Sequence, residues 1–140
     1  MNKTVFIDSD VILDVLCKRN PFYQYAAELL TLGDKGKTTL ITTPVVIANV
    51  FYILRKILGP QKAKELLRKL RILIQIVPMN EKIVDLALNS KFSDFEDELQ
   101  YFTARENNIK IIVTRNIKDY KERDLVVQTA EQYLKSIKNK

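Results

Sequence analysis

Acidic side chains supply most of the chemistry available to this chain. Asp8, Asp10 and Asp14 stand close together near its start, Asp94, Glu96, Asp97 and Glu98 form a second group, and Asn116 and Asp119 a third. Carboxylates brought together repel one another, so either water screens them or a cation neutralises them. Hard divalent ions such as Mg2+ and Mn2+ are the cations that suit oxygen donors. The rest of the composition narrows the choice. The chain has no histidine and one cysteine, Cys17, which removes Ser-His-Asp and Cys-His nucleophilic systems, imidazole bases and nearly every zinc site. Its three glycines, Gly33, Gly36 and Gly59, are scattered and form no phosphate-cradling loop. An enzyme built from these residues works with carboxylates, lysine, tyrosine and hydroxyls.

Each acidic group also has a purely structural reading. Asp10 is placed to favour a helix start, where free backbone N–H groups and the helix dipole attract acids. Ser93 and Glu96 have the spacing of a capping box, which gives Glu96 a structural role. Asp94, Asp97 and Glu98 fall on neighbouring positions of one helix and suit a solvated acidic first turn. Asp119 alone reads as a loop acid. Their positions relative to the strands favour function, most strongly for Asp8.

The elements that must position them read as alternating strands and helices. Thr4 to Ile7 is a β-branched, aromatic run ending directly at Asp8, and Val11, Ile12, Val15 and Leu16 then form a helical stripe. Pro21 opens a second helix carrying Phe22, Tyr25, Ala26, Leu29 and Leu30 inward. Thr38 to Thr42 is a strand, Pro44 starts a helix closed by Gly59, and Pro60 starts another. Leu73 to Val77 is a strand or the end of that helix, which periodicity does not decide. Helical patterns follow at Glu81 to Leu88 and Phe95 to Glu106, strands at Lys110 to Thr114 and Leu125 to Val127, and a last amphipathic helix carries Ala130, Tyr133, Leu134 and Ile137. This alternation predicts a three-layer α/β/α sandwich around a mainly parallel sheet, in one domain spanning residues 1–140. Ligands of such sheets sit beyond the carboxyl ends of the strands, which is where Asp8 and the Thr114 to Tyr120 segment fall.

With 23 basic and 17 acidic residues the chain carries a net charge of +6, which makes a polyanion such as nucleic acid a plausible partner. Aspartates interrupt the N-terminal apolar stretch, so no signal peptide is expected. The run Val45 to Leu54 is about half a membrane-spanning length, so no membrane association is expected. The lone cysteine suits a reducing, cytoplasmic setting.

The strand ending in Asp8, the Leu13-Asp14 pair, Asp-Phe-Glu-Asp at Asp94 to Asp97 and Thr-Arg-Asn-Ile-Lys-Asp-Tyr at Thr114 to Tyr120 together resemble the PIN-domain family. These are small metal-dependent ribonucleases that include the toxins of bacterial VapC-type toxin–antitoxin pairs. The likeness runs over essentially the whole chain. It implies an endoribonuclease using Mg2+ or Mn2+ held by Asp8 and Asp97, with Asp94 just ahead and Asn116 and Asp119 completing the site or orienting water. The family's usual glutamate, early in the helix after the second strand, is replaced by Asn49, which brings an oxygen but no charge. The resemblance further implies RNA as substrate, gripped by Arg115 and Lys118 with the hydroxyls of Ser9 and Thr114, and a homodimer with an antitoxin protein as possible partner. Arg55, Lys56, Lys62, Lys64, Arg68, Lys69 and Arg71 read instead as a solvated face, and Phe51, Tyr52, Leu54 and Ile57 as core or dimer interface.

Two other readings stand beside this one. Asn49 is what a catalytically weak or silent domain of the same fold, binding RNA or protein, would show. Asp8-Ser9-Asp10 also imitates the Asp-x-Asp of haloacid-dehalogenase-like phosphatases, with Asp8 as nucleophile and Asp10 as general acid. Ile12 stands where that family expects threonine or valine, and its late lysine and acidic pair have no clear counterpart here.

Overall fold

The computed structural model describes residues 3–91, 94–120 and 124–138. Five strands, β1 (Lys3–Ile7), β2 (Thr38–Thr42), β3 (Ile74–Ile76), β4 (Ile111–Val113) and β5 (Val126–Gln128), form one sheet in the order β3-β2-β1-β4-β5. Every pairing is parallel. Parallel strands covered on both faces read as continuous apolar runs rather than alternating ones. Val5, Phe6 and Ile7, Leu40 and Ile41, and Ile112 and Val113 are all buried. The short Ile74–Ile76 segment, undecided from periodicity, is a strand because β2 offers it a register, Leu40 opposite Ile74 and Thr42 opposite Ile76.

The helices are α1 (Ser9–Leu16), α2 (Tyr23–Asp34), α3 (Pro44–Leu58), α4 (Pro60–Arg71), α5 (Glu81–Leu88), α6 (Phe95–Glu106) and α7 (Ala130–Lys138), with a 3-10 turn at Ile117–Asp119. Right-handed crossovers between parallel strands put helices on both faces, giving the expected sandwich. Helix α2 begins two residues after Pro21, and Phe22 and Tyr25 stay partly exposed while Ala26, Leu29 and Leu30 enter the core. The Thr43 hydroxyl caps α3 through Val46 N at 3.2 Å. Gly59, with φ +86° and ψ 162°, joins α3 directly to α4 in a backbone conformation that essentially glycine alone adopts. The Ser93 half of the expected capping box lies outside the described residues.

A buried hydrogen bond of 3.0 Å between the Thr38 and Tyr133 hydroxyls fastens α7 to β2. Tyr133→Phe leaves the Thr38 hydroxyl without that partner and is expected to cost about 1 kcal/mol, readable by urea denaturation. Among the described residues no helix is long and apolar enough to cross a membrane.

Candidate metal centre

The sheet order reverses direction at β1, so β1 and β4 flank the switch point beyond whose carboxyl ends a ligand site forms. Asp8 is the first residue after β1, and both neighbouring strands fix its position. Its backbone N–H donates to Val113 O at 3.0 Å, and the Thr42 hydroxyl donates to Ile7 O at 2.9 Å. The carboxylate is only 4% exposed. Oδ1 accepts from Ser9 N at 2.7 Å, and Oδ2 accepts from the Thr114 hydroxyl at 2.8 Å. The Tyr120 hydroxyl lies 3.2 Å from Asp8 Oδ2 and 2.7 Å from Gln100 Oε1. It has one proton to share between the two acceptors. Burial holds the Asp8 carboxyl above the usual carboxylate range despite these donors. Burial, with the Asp8 charge, pushes Asp10 up to about 6. Asp10 Oδ2 accepts from Arg115 N at 3.0 Å, while its buried Oδ1 has no hydrogen-bond partner.

Helix α6 brings the second acid. Asp94 is its cap, accepting from Asp97 N at 3.2 Å, which gives Asp94 a structural task beside the metal role expected of it. Asp97 is 8% exposed, and its carboxyl is pushed up to about 7, first by burial and then by Asp8, Asp94, Asp119 and Glu96 in that order. The charges of Asp8 after β1, of Asp94 and Glu96 beside it, and of Asp119 in the turn after β4 thus all act on Asp97. Helices α1 and α6 both start at this group, and their dipoles offset part of the repulsion. Asn49, on α3, donates through Nδ2 to Glu96 Oε2 at 2.7 Å. Asn116 and Lys118 are exposed, and Asp119 and Ser9 half-buried.

Two residues expected to contact substrate have protein partners of their own. Thr114 is fully buried, with its hydroxyl donating to Asp8 and accepting from Asn116 N, so it orients the acid. Arg115 is engaged by Asp14, through Nε to Oδ2 at 2.9 Å and Nη2 to Oδ1 at 3.0 Å, with its guanidinium 4.0 Å from the Phe22 ring centre. Asp14 is buried and so requires a cation; Arg19 approaches it only to 4.0 Å. Arg115 thus ties the loop after β4 to α1. Arg115→Ala is expected to cost about 2 kcal/mol, less than a fully buried pair because the arginine is partly solvated, and to lower the melting temperature by about 6 °C in a circular-dichroism melt. A cavity of about 380 Å³ lined by Val11, Asp14, Phe22, Tyr25 and Arg115 adjoins this pair and is not lined by Asp8 or Asp97. The sequence alone gives no role to Tyr120 or Gln100. The signal for Tyr120 was its place at the end of the Thr114 to Tyr120 motif, whereas nothing marked Gln100.

Residues 4–118 match the PIN domain family, and the chain belongs to it. It is 30% identical over 137 residues to Ribonuclease VapC1 of Aquifex aeolicus (strain VF5), covering 94% of both chains. Similar solved structures include VapBC-1 from nontypeable Haemophilus influenzae, with a TM-score of 0.69, 16% identity, and coverage of 91% of this chain and 98% of that one. VapBC2 from Rickettsia felis, bound to a DNA fragment from its promoter, gives 0.68 at 18% identity, covering 90% and 98%. VapC20 of Mycobacterium tuberculosis, a toxin that cleaves the sarcin-ricin loop, gives 0.61 at 12% identity, covering 77% and 86%. At these identities the structures establish the fold.

The donor set fits a divalent cation of the Mg2+ type. Among the described residues no three acids come together closely enough to enclose an ion by themselves. Mg2+, however, keeps several waters and asks for only one or two protein carboxylates. Asp97, with no donor to its carboxylate among the described residues, and the unpartnered Asp10 Oδ1 are what a cation would relieve.

Proposed function

We propose that this chain is a metal-dependent endoribonuclease acting as the toxin of a toxin–antitoxin pair. The observation that carries the reading is the pair of buried carboxyls after β1 and at the start of α6, Asp8 raised by its burial and Asp97 by burial and the Asp8 charge. Family membership and the likeness to a ribonuclease support it, and they remove the phosphatase alternative.

When bound, a divalent cation supplies charge neutralisation at the phosphodiester and lowers the pKa of water. Asp8 and Asp97 would hold it, with Asp119 and Asn116 completing the site or orienting water. Thr114, Tyr120 and Ser9 keep the Asp8 carboxylate in one orientation, which is the preorganisation such a site needs. Asp10 clamps the loop after β4 through Arg115 N, and Lys118 is placed to attract phosphate. An antitoxin is the proposed protein partner, supported by the toxin–antitoxin complexes among similar structures. A homodimer is supported by the exposed Tyr52, Ile53, Ile57 and Leu58 on α3, and light scattering of the purified chain tests it.

The test of function is incubation with total RNA and Mg2+ or Mn2+, comparing wild type with Asp8→Asn and Asp97→Asn. Metal-dependent cleavage by wild type alone is expected. Equal cleavage by all three proteins rejects the assignment, and absence of cleavage with Mn2+ binding retained favours a silent binding domain.

A further inference from the structure

Backbone to backbone, α6 lies closest to α5, so side chains decide where Asp97, near its start, stands relative to Asp8. Gln100 follows Asp97 by three residues on the same face of α6, and both are buried. Gln100 Oε1 lies 2.7 Å from the Tyr120 hydroxyl, which lies 3.2 Å from Asp8 Oδ2. Tyr120 is itself fully buried, just past the turn that follows β4. The other partners of the Asp8 carboxylate, Ser9 and Thr114, stand at the rim of the sheet. Gln100, Tyr120 and Asp8 thus form one line of contacts from α6 to the end of β1.

The tyrosine has one proton, while a carboxylate and an amide oxygen both accept. An amide turned over presents its nitrogen in place of its oxygen. Gln100 Nε2 then donates to the Tyr120 hydroxyl, whose own proton is left for Asp8 Oδ2. We propose that Gln100 and Tyr120 are positioning residues of the metal centre, a strut from α6 to Asp8 that fixes the separation of Asp8 and Asp97. This rests on the reading of the chain as a metal-dependent nuclease, and neither residue ligates the ion. Rigidity of this kind bears on which ion is held. Mg2+ demands near-ideal octahedral geometry with short bonds, whereas Ca2+ accepts longer bonds in flexible arrangements. A fixed spacing of the two acids favours the smaller ion, and loss of the strut costs Mg2+ more than Ca2+.

The test is displacement of Mn2+ from the full chain by Mg2+ or by Ca2+, read from the paramagnetic resonance signal of free Mn2+. Tyr120→Phe and Gln100→Met each break the strut with little change of volume. Each is expected to weaken Mg2+ binding about tenfold and Ca2+ binding less than about threefold, so that the ratio of the two affinities shifts. Both act through one line of contacts, so the double variant is expected to lose no more than about twofold beyond either single one. Tyr133→Phe is the control for a lost buried hydroxyl. It breaks the bond to Thr38 at the amino end of β2, the other rim of the sheet, and is expected to leave both affinities unchanged at a comparable fall in melting temperature in EDTA. An unchanged ratio in either single variant, additive losses in the double one, or the same shift in Tyr133→Phe overturns the proposal. Asp8→Asn separates the strut from the reading beneath it. If Asp8→Asn binds Mn2+ as wild type does, the nuclease reading falls together with the strut. If it loses Mn2+ while the strut variants keep the wild-type ratio, the strut alone fails.

Discussion

Asp97→Asn is expected to lower RNA cleavage at least about a hundredfold, about 2.7 kcal/mol of transition-state stabilisation, while raising the melting temperature of the metal-free protein at pH 8. The two effects have one cause. Asp97 is buried, receives no donor to its carboxylate among the described residues, and faces Asp8, Asp94, Asp119 and Glu96. Its folded-state pKa of about 7 lies above the ordinary aspartate value of 3.8, so the folded state holds the proton more tightly than the unfolded one. That contribution is fully present below the unfolded value and is lost as pH rises through about 7. Asparagine keeps the shape without the charge, and a gain of about 1 kcal/mol, or about 4 °C, is expected in EDTA at pH 8 and not at pH 4. Calorimetric melts at the two pH values check this. A variant that is less stable than wild type under both conditions contradicts it.

Mn2+ is expected to produce the second large effect. An ion bound by the folded state alone stabilises it by mass action, about 2.7 kcal/mol at a hundredfold excess over the dissociation constant, or about 8–10 °C here. The size should depend on pH in a defined direction. A proton on Asp97 competes with the metal, so with a pKa of about 7 affinity is expected to be about tenfold weaker at pH 6 than at pH 8. Asp10, pushed up to about 6, adds to the loss at the acid end. Thermal melts with Mn2+ and with EDTA across this range test both claims. A shift that is absent, or equal at pH 6 and pH 8, rejects them.

The parts legible in the sequence were those set by local pattern. Apolar runs ending at Asp8 and Thr114 announced β1 and β4, and prolines 44 and 60 marked the starts of α3 and α4. Pro21 misled by two residues, because a proline can precede a helix as well as open it. What stayed hidden depends on contacts distant in sequence. Asp14 and Arg115 are 101 positions apart, so nothing local shows that the guanidinium beside the strand end meets a buried acid. Glu96 read as half of a local capping box, while its carboxylate reaches α3. Gln100 and Tyr120 join Asp8 only through tertiary packing, and their residue types alone carry no such signal.

Asp8 and Asp97 are expected to share one divalent cation at the carboxyl rim of the sheet. Crystals of the chain soaked in Mn2+ and measured for anomalous scattering test it most directly. A single peak within coordination distance of both carboxylates, absent from crystals of Asp8→Asn, is the expected result. A peak bound elsewhere, or none at either carboxylate at full soaking concentration, contradicts it.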